Sequence, residues 1–337
     1  MSEDIRERAG SSSTPAISVI STVFNHARYV EEALESLRRQ TMQDFELIIT
    51  DDASTDGCAD VIQGWLDRTG FPAQFIRNQA NRGICACRNT ALARASGRFL
   101  CALPGDDAYE PDYLERQLRC FLAQPDDVCA VYSDAVVVDA ESKPYGPSYL
   151  EARLRGKDPP QGRIFADLLL QNFVPAPCVM LRRSAIAAVG DYDESLFFED
   201  LDMWLRLSHR YRFVYLPGQP VRIRMHAGSM SGNARNWPLM RKSQTRILLK
   251  WLDTKLDAVT RGRLLDALLW NGALQLRHGD PEQARFTFDN LIRNDSRPAR
   301  RMLARAGKMP GASLAVRLLL PLYRLNRGFD FRFRPPA

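Results

Sequence analysis

The hydrophobic pattern of the front half switches repeatedly between two periods. AISVISTVF (16–24) is a β-branched run and predicts a strand buried on both faces. ARYVEEALESLRRQ (27–40) then spaces Val30, Ala33, Leu34 and Leu37 along one helical face. FELIITDD (45–52) predicts a second strand, STDGCADVIQGWLDRT (54–69) a capped amphipathic helix, and AQFIRN (73–78) a short third strand. GICACRNTALARASG (83–97) reads as a helix closed by Gly97, and RFLCAL (98–103) as a fourth buried strand. Strands and helices in strict alternation predict an α/β fold with a mostly parallel sheet and helices on both faces.

Past residue 110 the alternation loosens. VCAVYSDAVVVD (128–139) predicts one more strand, and the aperiodic stretch 140–162 a long surface loop. CVMLRRSAIAAVGDYD (178–193) reads as strand, helix and turn, and FFEDLDMWLRLSHRY (197–211) as a helix with Leu201, Trp204, Leu205 and Ser208 on one face. Beyond Pro238 the pattern is helical almost throughout, giving an expected division into a polar tail (1–14), an α/β domain (15–237) and a helical region (238–337). LLWNGALQLRHGDPEQARFTFDNLIRND (268–295) resembles one tetratricopeptide-like hairpin, a unit that must pack on a neighbour to bury its face.

Charge sharpens this division. Residues 238–337 hold 20 Lys and Arg against 8 Asp and Glu, a surplus of +12, while residues 1–237 carry −6. The basic rear suits phosphates, an anionic membrane surface or an acidic partner. SLAVRLLLPLYRLNR (313–327), with Arg317, Arg324 and Arg327 among its apolar residues, fits either an interfacial helix on an anionic membrane or a helix docked on the front domain. No nucleic-acid-reading motif accompanies the charge. Seven scattered cysteines and four histidines give no zinc spacing and fit reduced thiols in a cytoplasmic protein.

The candidate chemistry sits at strand ends. Asp51 and Asp52 close the second strand, and Asp106 and Asp107 follow the fourth in ALPGDD. In such sheets ligands collect beyond the carboxyl ends of the strands, so these four acids are expected to converge. The first strand runs into TVFNHARYV in place of a glycine-rich turn, which argues against a dinucleotide oxidoreductase.

Six ordered blocks carry a family resemblance: SVISTVFNHARYVEEALESLRRQT, FELIITDDASTDG, NRGICACRNTALARASGRFLCALPGDD, VPAPCVMLRRSAIAAVGDYDESL, FFEDLDMWLRL and RMHAGSMS. From about residue 16 to 235 the chain resembles the family 2 glycosyltransferases, inverting nucleotide-sugar enzymes of the GT-A fold. The resemblance implies a UDP-linked donor and a divalent cation, Mn2+ or Mg2+. It implies a saccharide, lipid-linked or glycoconjugate acceptor, in surface polysaccharide or lipopolysaccharide synthesis, with the protein cytoplasmic or peripheral on the inner face of the cell membrane. By the same resemblance Asp106 holds the metal, with Asp107 bound through water or capping the next turn. Asp52 receives the nucleobase ring N–H, with Thr22 and Asn25 lining that pocket and Asp51 capping the turn at Ser54. Arg88 and Asn89 stand where nucleotide and phosphate contacts begin. Asp200 is the implied general base, with Glu199 and Asp202 in reserve. His226 lies beside the metal or diphosphate, and Arg222, Arg224 and Ser229 assist with phosphate. One departure stands out: the family's first acid in Asp-x-Asp-Asp is replaced here by Pro104. That substitution keeps a second reading open, a non-catalytic scaffold on a transferase fold.

Overall fold

The structure, a computed structural model, describes residues 14–230 and 232–309. Apart from Thr14, the expected polar tail and the helix expected over 313–327 lie outside the described residues. The seven-stranded main sheet has the order β3-β2-β1-β4-β8-β6-β9. Its strands are β1 (Ile17–Val23), β2 (Phe45–Asp51), β3 (Gln74–Arg77), β4 (Phe99–Ala102), β6 (Val128–Tyr132), β8 (Val179–Arg182) and β9 (Arg212–Tyr215). All pairings are parallel except those of β8, which runs antiparallel to both β4 and β6. A smaller sheet joins β5 (Ala108–Tyr109), β10 (Val221–Arg224) and β7 (Val136–Val138).

The β-branched strand sequences supply two cores at once. Alternation along β1 sends Ile17, Val19 and Val23 into one core and Ile20 into the other. The first core also takes Val30, Leu34 and Leu37 of α1 (Val30–Arg38), Ile62 and Trp65 of α2 (Cys58–Thr69), and Leu114 and Phe121 of α4 (Tyr113–Leu122). The second takes residues of α3 (Ile84–Leu92), α6 (Phe165–Leu170), α7 (Arg183–Val189) and α8 (Asp200–Arg210). Helices therefore cover both faces of the sheet.

Two sequence expectations change. The single strand expected over 128–139 is split between the two sheets, because Asp134 turns the chain. Its Oδ1 accepts from the Ala135 and Leu150 amides, each at 2.8 Å. The surface loop expected over 140–162 contains a short helix, α5 (Tyr149–Leu154), which Ser148 caps by accepting from the Glu151 amide.

Among the described residues the last four helices are α9 (Trp237–Leu249), α10 (Ala258–Arg277), α11 (Pro281–Asn294) and α12 (Pro298–Gly307). α10 and α11 form the expected hairpin, and the neighbour it needs is the front of the chain. Leu264, Leu265 and Leu268 of α10 share one core with Phe165, Leu168 and Leu169 of α6. Inside this helical unit Thr245 Oγ1 accepts from Asn271 Nδ2 (2.8 Å) and Gln275 Nε2 (3.0 Å), and Thr287 Oγ1 donates to Gln275 Oε1 (2.8 Å). Among the described residues no helix is long and apolar enough to cross a membrane. All seven cysteines are free thiols, six of them buried.

Candidate active site

Parallel strands β1, β2 and β4 end side by side, so the turns that follow them meet. The Asn25 side chain, on a residue with φ 57°, accepts from the Thr55 amide at 2.8 Å, and Ser54 Oγ accepts from the Asn25 amide at 2.9 Å. Asp51 Oδ1 accepts from the Ser54 amide at 3.0 Å, as expected of a turn cap. Asp52 is more heavily engaged: Oδ1 accepts from Asn78 Nδ2 (2.9 Å) and the Arg82 amide (2.8 Å), Oδ2 from the Gly83 amide (2.8 Å). Asp52 thus shapes the 78–83 loop. Thr22 Oγ1 is buried without a protein partner, and Phe24, next along, is 43% exposed at the same edge.

The acids of PGDD face opposite ways. Asp106 Oδ2 lies 3.1 Å from His226 Nε2 and 3.8 Å from His26 Nε2, and the three ligand atoms fall within 4.8 Å of one another. Burial disfavours the Asp106 charge, yet the His26 and His226 rings together outweigh it and hold its pKa below the ordinary value. Asp107 instead accepts from the Arg224 amide at 2.9 Å, and burial beside the Asp106 charge pushes its carboxyl well above the usual range. The Arg224 guanidinium is likewise committed. It donates to Asp106 O (3.0 Å), Asp139 O (3.1 Å), Ser142 Oγ (2.8 Å) and Glu32 Oε2 (2.6 Å), and lies 4.6 Å over the Tyr29 ring. Arg222 pairs with Glu32 and Glu110, and Ser229 donates to His226 O at 2.8 Å, fixing the turn that carries the histidine.

His26 was not anticipated from the sequence. Its only signal there is its place directly after Asn25, in a turn noted for what it lacks. It reaches Asp106 because residue 105 is glycine: a Cβ on Gly105 would stand 2.6 Å from Val23 Cγ1 and 2.9 Å from His26 Nδ1. Gly105→Ala is therefore expected to destabilise the fold by about 1–3 kcal/mol through overpacking. Denaturant titration would read that loss, which should be near zero if the contact relaxes freely.

A second constellation lies at the start of α8. Asn172 Nδ2 donates to Asp200 Oδ2 at 2.8 Å, and the Leu201 amide to Oδ1 at 2.6 Å. Burial pushes the Asp200 pKa up to about 7, helped by the neighbouring Glu199 charge. Glu199 pairs with Arg88 at 3.3 Å, and Arg88, Tyr192, Glu199, Asp200 and Trp204 line one cavity with Ala102 of β4. Asn172 is another residue the sequence did not single out. Asn89 turns away from the cavity edge, exchanging hydrogen bonds with the Tyr192 backbone at 2.9 Å each. Asp202, 1% exposed, is held by Arg206 (2.8 Å) and Lys250 (2.7 Å), and Trp204 Nε1 donates to Val174 O, so both belong to the packing of α8.

Comparison with known proteins identifies the fold and the family. The Bacillus subtilis protein EpsH is 36% identical over 121 residues, 36% of this chain and 34% of its own, so the chain spans about a third of that relative. The amylovoran biosynthesis glycosyltransferase AmsE of Erwinia amylovora is 25% identical over 252 residues, covering 73% of this chain and 90% of AmsE. Among solved structures, S. aureus TarS 1–349 in complex with UDP-GlcNAc superposes with a TM-score of 0.63 at 18% identity, covering 94% and 93% of the two chains. The mannosyltransferase PcManGT of Pyrobaculum calidifontis, in complex with GDP-Man and Mn2+, gives 0.56 at 17% identity, covering 97% and 94%. The fold is that of the GT-A glycosyltransferases. The model of glycosyl transferase family 2 matches residues 18–190, just over half of the sequence, and the chain belongs to that family.

Proposed function

We propose that the protein is an inverting, metal-dependent glycosyltransferase that moves a sugar from a nucleotide-diphosphate donor, UDP-linked, to a hydroxyl of a saccharide, lipid-linked or glycoconjugate acceptor. The observation that carries this is the placement of Asp200: a half-buried carboxylate held by Asn172 Nδ2 in the cavity that Arg88, Glu199 and Ala102 also line, its pKa pushed up to about 7. General bases work best with a pKa near the operating pH. As the acceptor hydroxyl attacks the anomeric carbon, Asp200 takes its proton, while the bond to the diphosphate breaks on the opposite face. Asn172 orients the Asp200 carboxylate, and Arg88 balances the charge of Glu199 beside it.

At the other end of the donor, Asp52, Thr22 and Phe24 suit a nucleobase: an acceptor for its ring N–H, a hydroxyl and an exposed ring for stacking. The His26–Asp106–His226 group fits a divalent ion. Two imidazoles and a carboxylate are a donor set that Mn2+ accepts more readily than Mg2+, which prefers oxygen. An ion there would neutralise charge on the departing diphosphate. AmsE is named for amylovoran biosynthesis, and that kinship supports polysaccharide assembly as the setting.

Calorimetric titration of UDP, GDP, ADP and TDP into the purified protein, with and without Mn2+, tests the reading. Metal-dependent binding of UDP is expected. Binding of none of the four in either condition would move the scaffold reading ahead.

A further inference from the structure

The segment between α7 and α8, residues 190–199, delivers Glu199 and Asp200 to the cavity, and two surfaces hold it. From the front domain, Asn89 grips Tyr192, Cys85 Sγ donates to Leu196 O at 3.6 Å, and Arg206 of α8 donates to Gly190 O (2.7 Å) and Asp191 O (2.9 Å). From the helical region, three residues of α9 and its cap do the rest. Ser243 Oγ accepts from the Phe197 amide at 2.8 Å, Arg246 Nη1 donates to Ser195 O at 3.0 Å, and Lys250 Nζ bridges Asp193 and Asp202, each at 2.7 Å.

Residues 243, 246 and 250 are i, i+3 and i+7, one stripe along a helix. The other side of α9 is keyed into the helical unit through Thr245, which takes hydrogen bonds from Asn271 and Gln275. Both ends of the clamp are therefore fixed. Asp193 answers it: burial opposes its charge, but the Lys250 bond prevails and brings its pKa down to about 2. Neither partner of Lys250 lines the cavity, so the lysine acts at a distance from substrate.

We propose that α9 is a positioning element for the transfer step: Ser243, Arg246 and Lys250 set the path of residues 193–199 and so the placement of Asp200. The inference rests on the reading of Asp200 as general base. It gives the helical region a part in turnover with no residue of its own in the site. A general base displaced by about 1 Å costs rate far more than binding.

Steady-state kinetics on the full chain carrying Ser243→Ala, Lys250→Met or Lys250→Arg tests it, with UDP affinity measured on the same samples. For Lys250→Met, kcat is expected to fall about 10- to 100-fold. Donor KM and UDP affinity should stay within about twofold, and Lys250→Arg should restore most of the rate. Ser243→Ala, which leaves both charges in place, should show the same split to a smaller degree. Unchanged kcat in both variants would overturn the proposal. So would a fall in kcat matched by an equal loss of UDP affinity, because that pattern marks general loosening. Asp200→Asn run alongside separates the two claims. If it abolishes transfer while the α9 variants are silent, only the positioning role fails; if it leaves transfer intact, the base assignment fails and takes this proposal with it.

Discussion

Asp200→Asn is expected to lower sugar transfer on the order of 100-fold or more while leaving donor binding nearly unchanged. Asparagine keeps the shape: its Oδ1 can accept from the Leu201 amide and its Nδ2 can donate to Asn172 once that side-chain amide turns over, but it cannot take a proton. The pH profile gives the sharper check. A base works only when unprotonated, and burial with the Glu199 charge has moved this carboxyl from the ordinary range near 4 up to about 7. Wild-type kcat/KM should therefore climb about tenfold per pH unit below 7 and level off above it. The asparagine variant should lose that limb. A wild-type profile already flat from pH 5 upward would mean that another group takes the proton.

Asp106→Ala should abolish the metal-dependent part of UDP binding, at least about a tenfold loss of Mn2+ affinity. The carboxylate is the only anion of the cluster, and without it two imidazoles have little hold on a hard cation. His26→Ala should weaken Mn2+ less, and UDP binding without metal should survive in both variants, because neither substitution removes Asp52, Thr22 or Phe24. Titrating Mn2+ by its electron paramagnetic resonance signal separates metal binding from turnover. Mn2+ affinity equal to wild type in Asp106→Ala would remove this cluster from the donor site.

The sheet was legible because the early strands are short apolar runs, β-branched in the first two, that alternate with helices showing one apolar stripe. Legibility failed where a side chain overruled the pattern. Asp134 ends a run that otherwise reads as one strand, by accepting from the adjacent Ala135 amide and from the Leu150 amide that folding brings to it. Of the site, Asp106, Asp200 and His226 could be named in advance because they sit in recognisable blocks. His26 and Asn172 could not: one depends on the missing side chain of Gly105, the other on the path of a stretch without periodicity. Arg224 and Asn89 show the converse. Both were candidates for phosphate or nucleotide contact, and the folded chain occupies their polar atoms with its own backbone and acids. Sequence shows that a donor is present; only the fold shows whether it has already been used.

That occupation of Arg224 has a mechanical consequence. One guanidinium ties the Asp106 backbone to α1 through Glu32 and to the 139–142 turn, with the Tyr29 ring beneath it. Three pieces of chain remote in sequence are thereby welded at a single point, so the floor of the candidate metal site cannot yield piece by piece. Lysine, a single point charge on a flexible stem, could not reproduce a weld that spreads planar donors in several directions. Any give the enzyme needs to admit and release its substrates must then come from the walls.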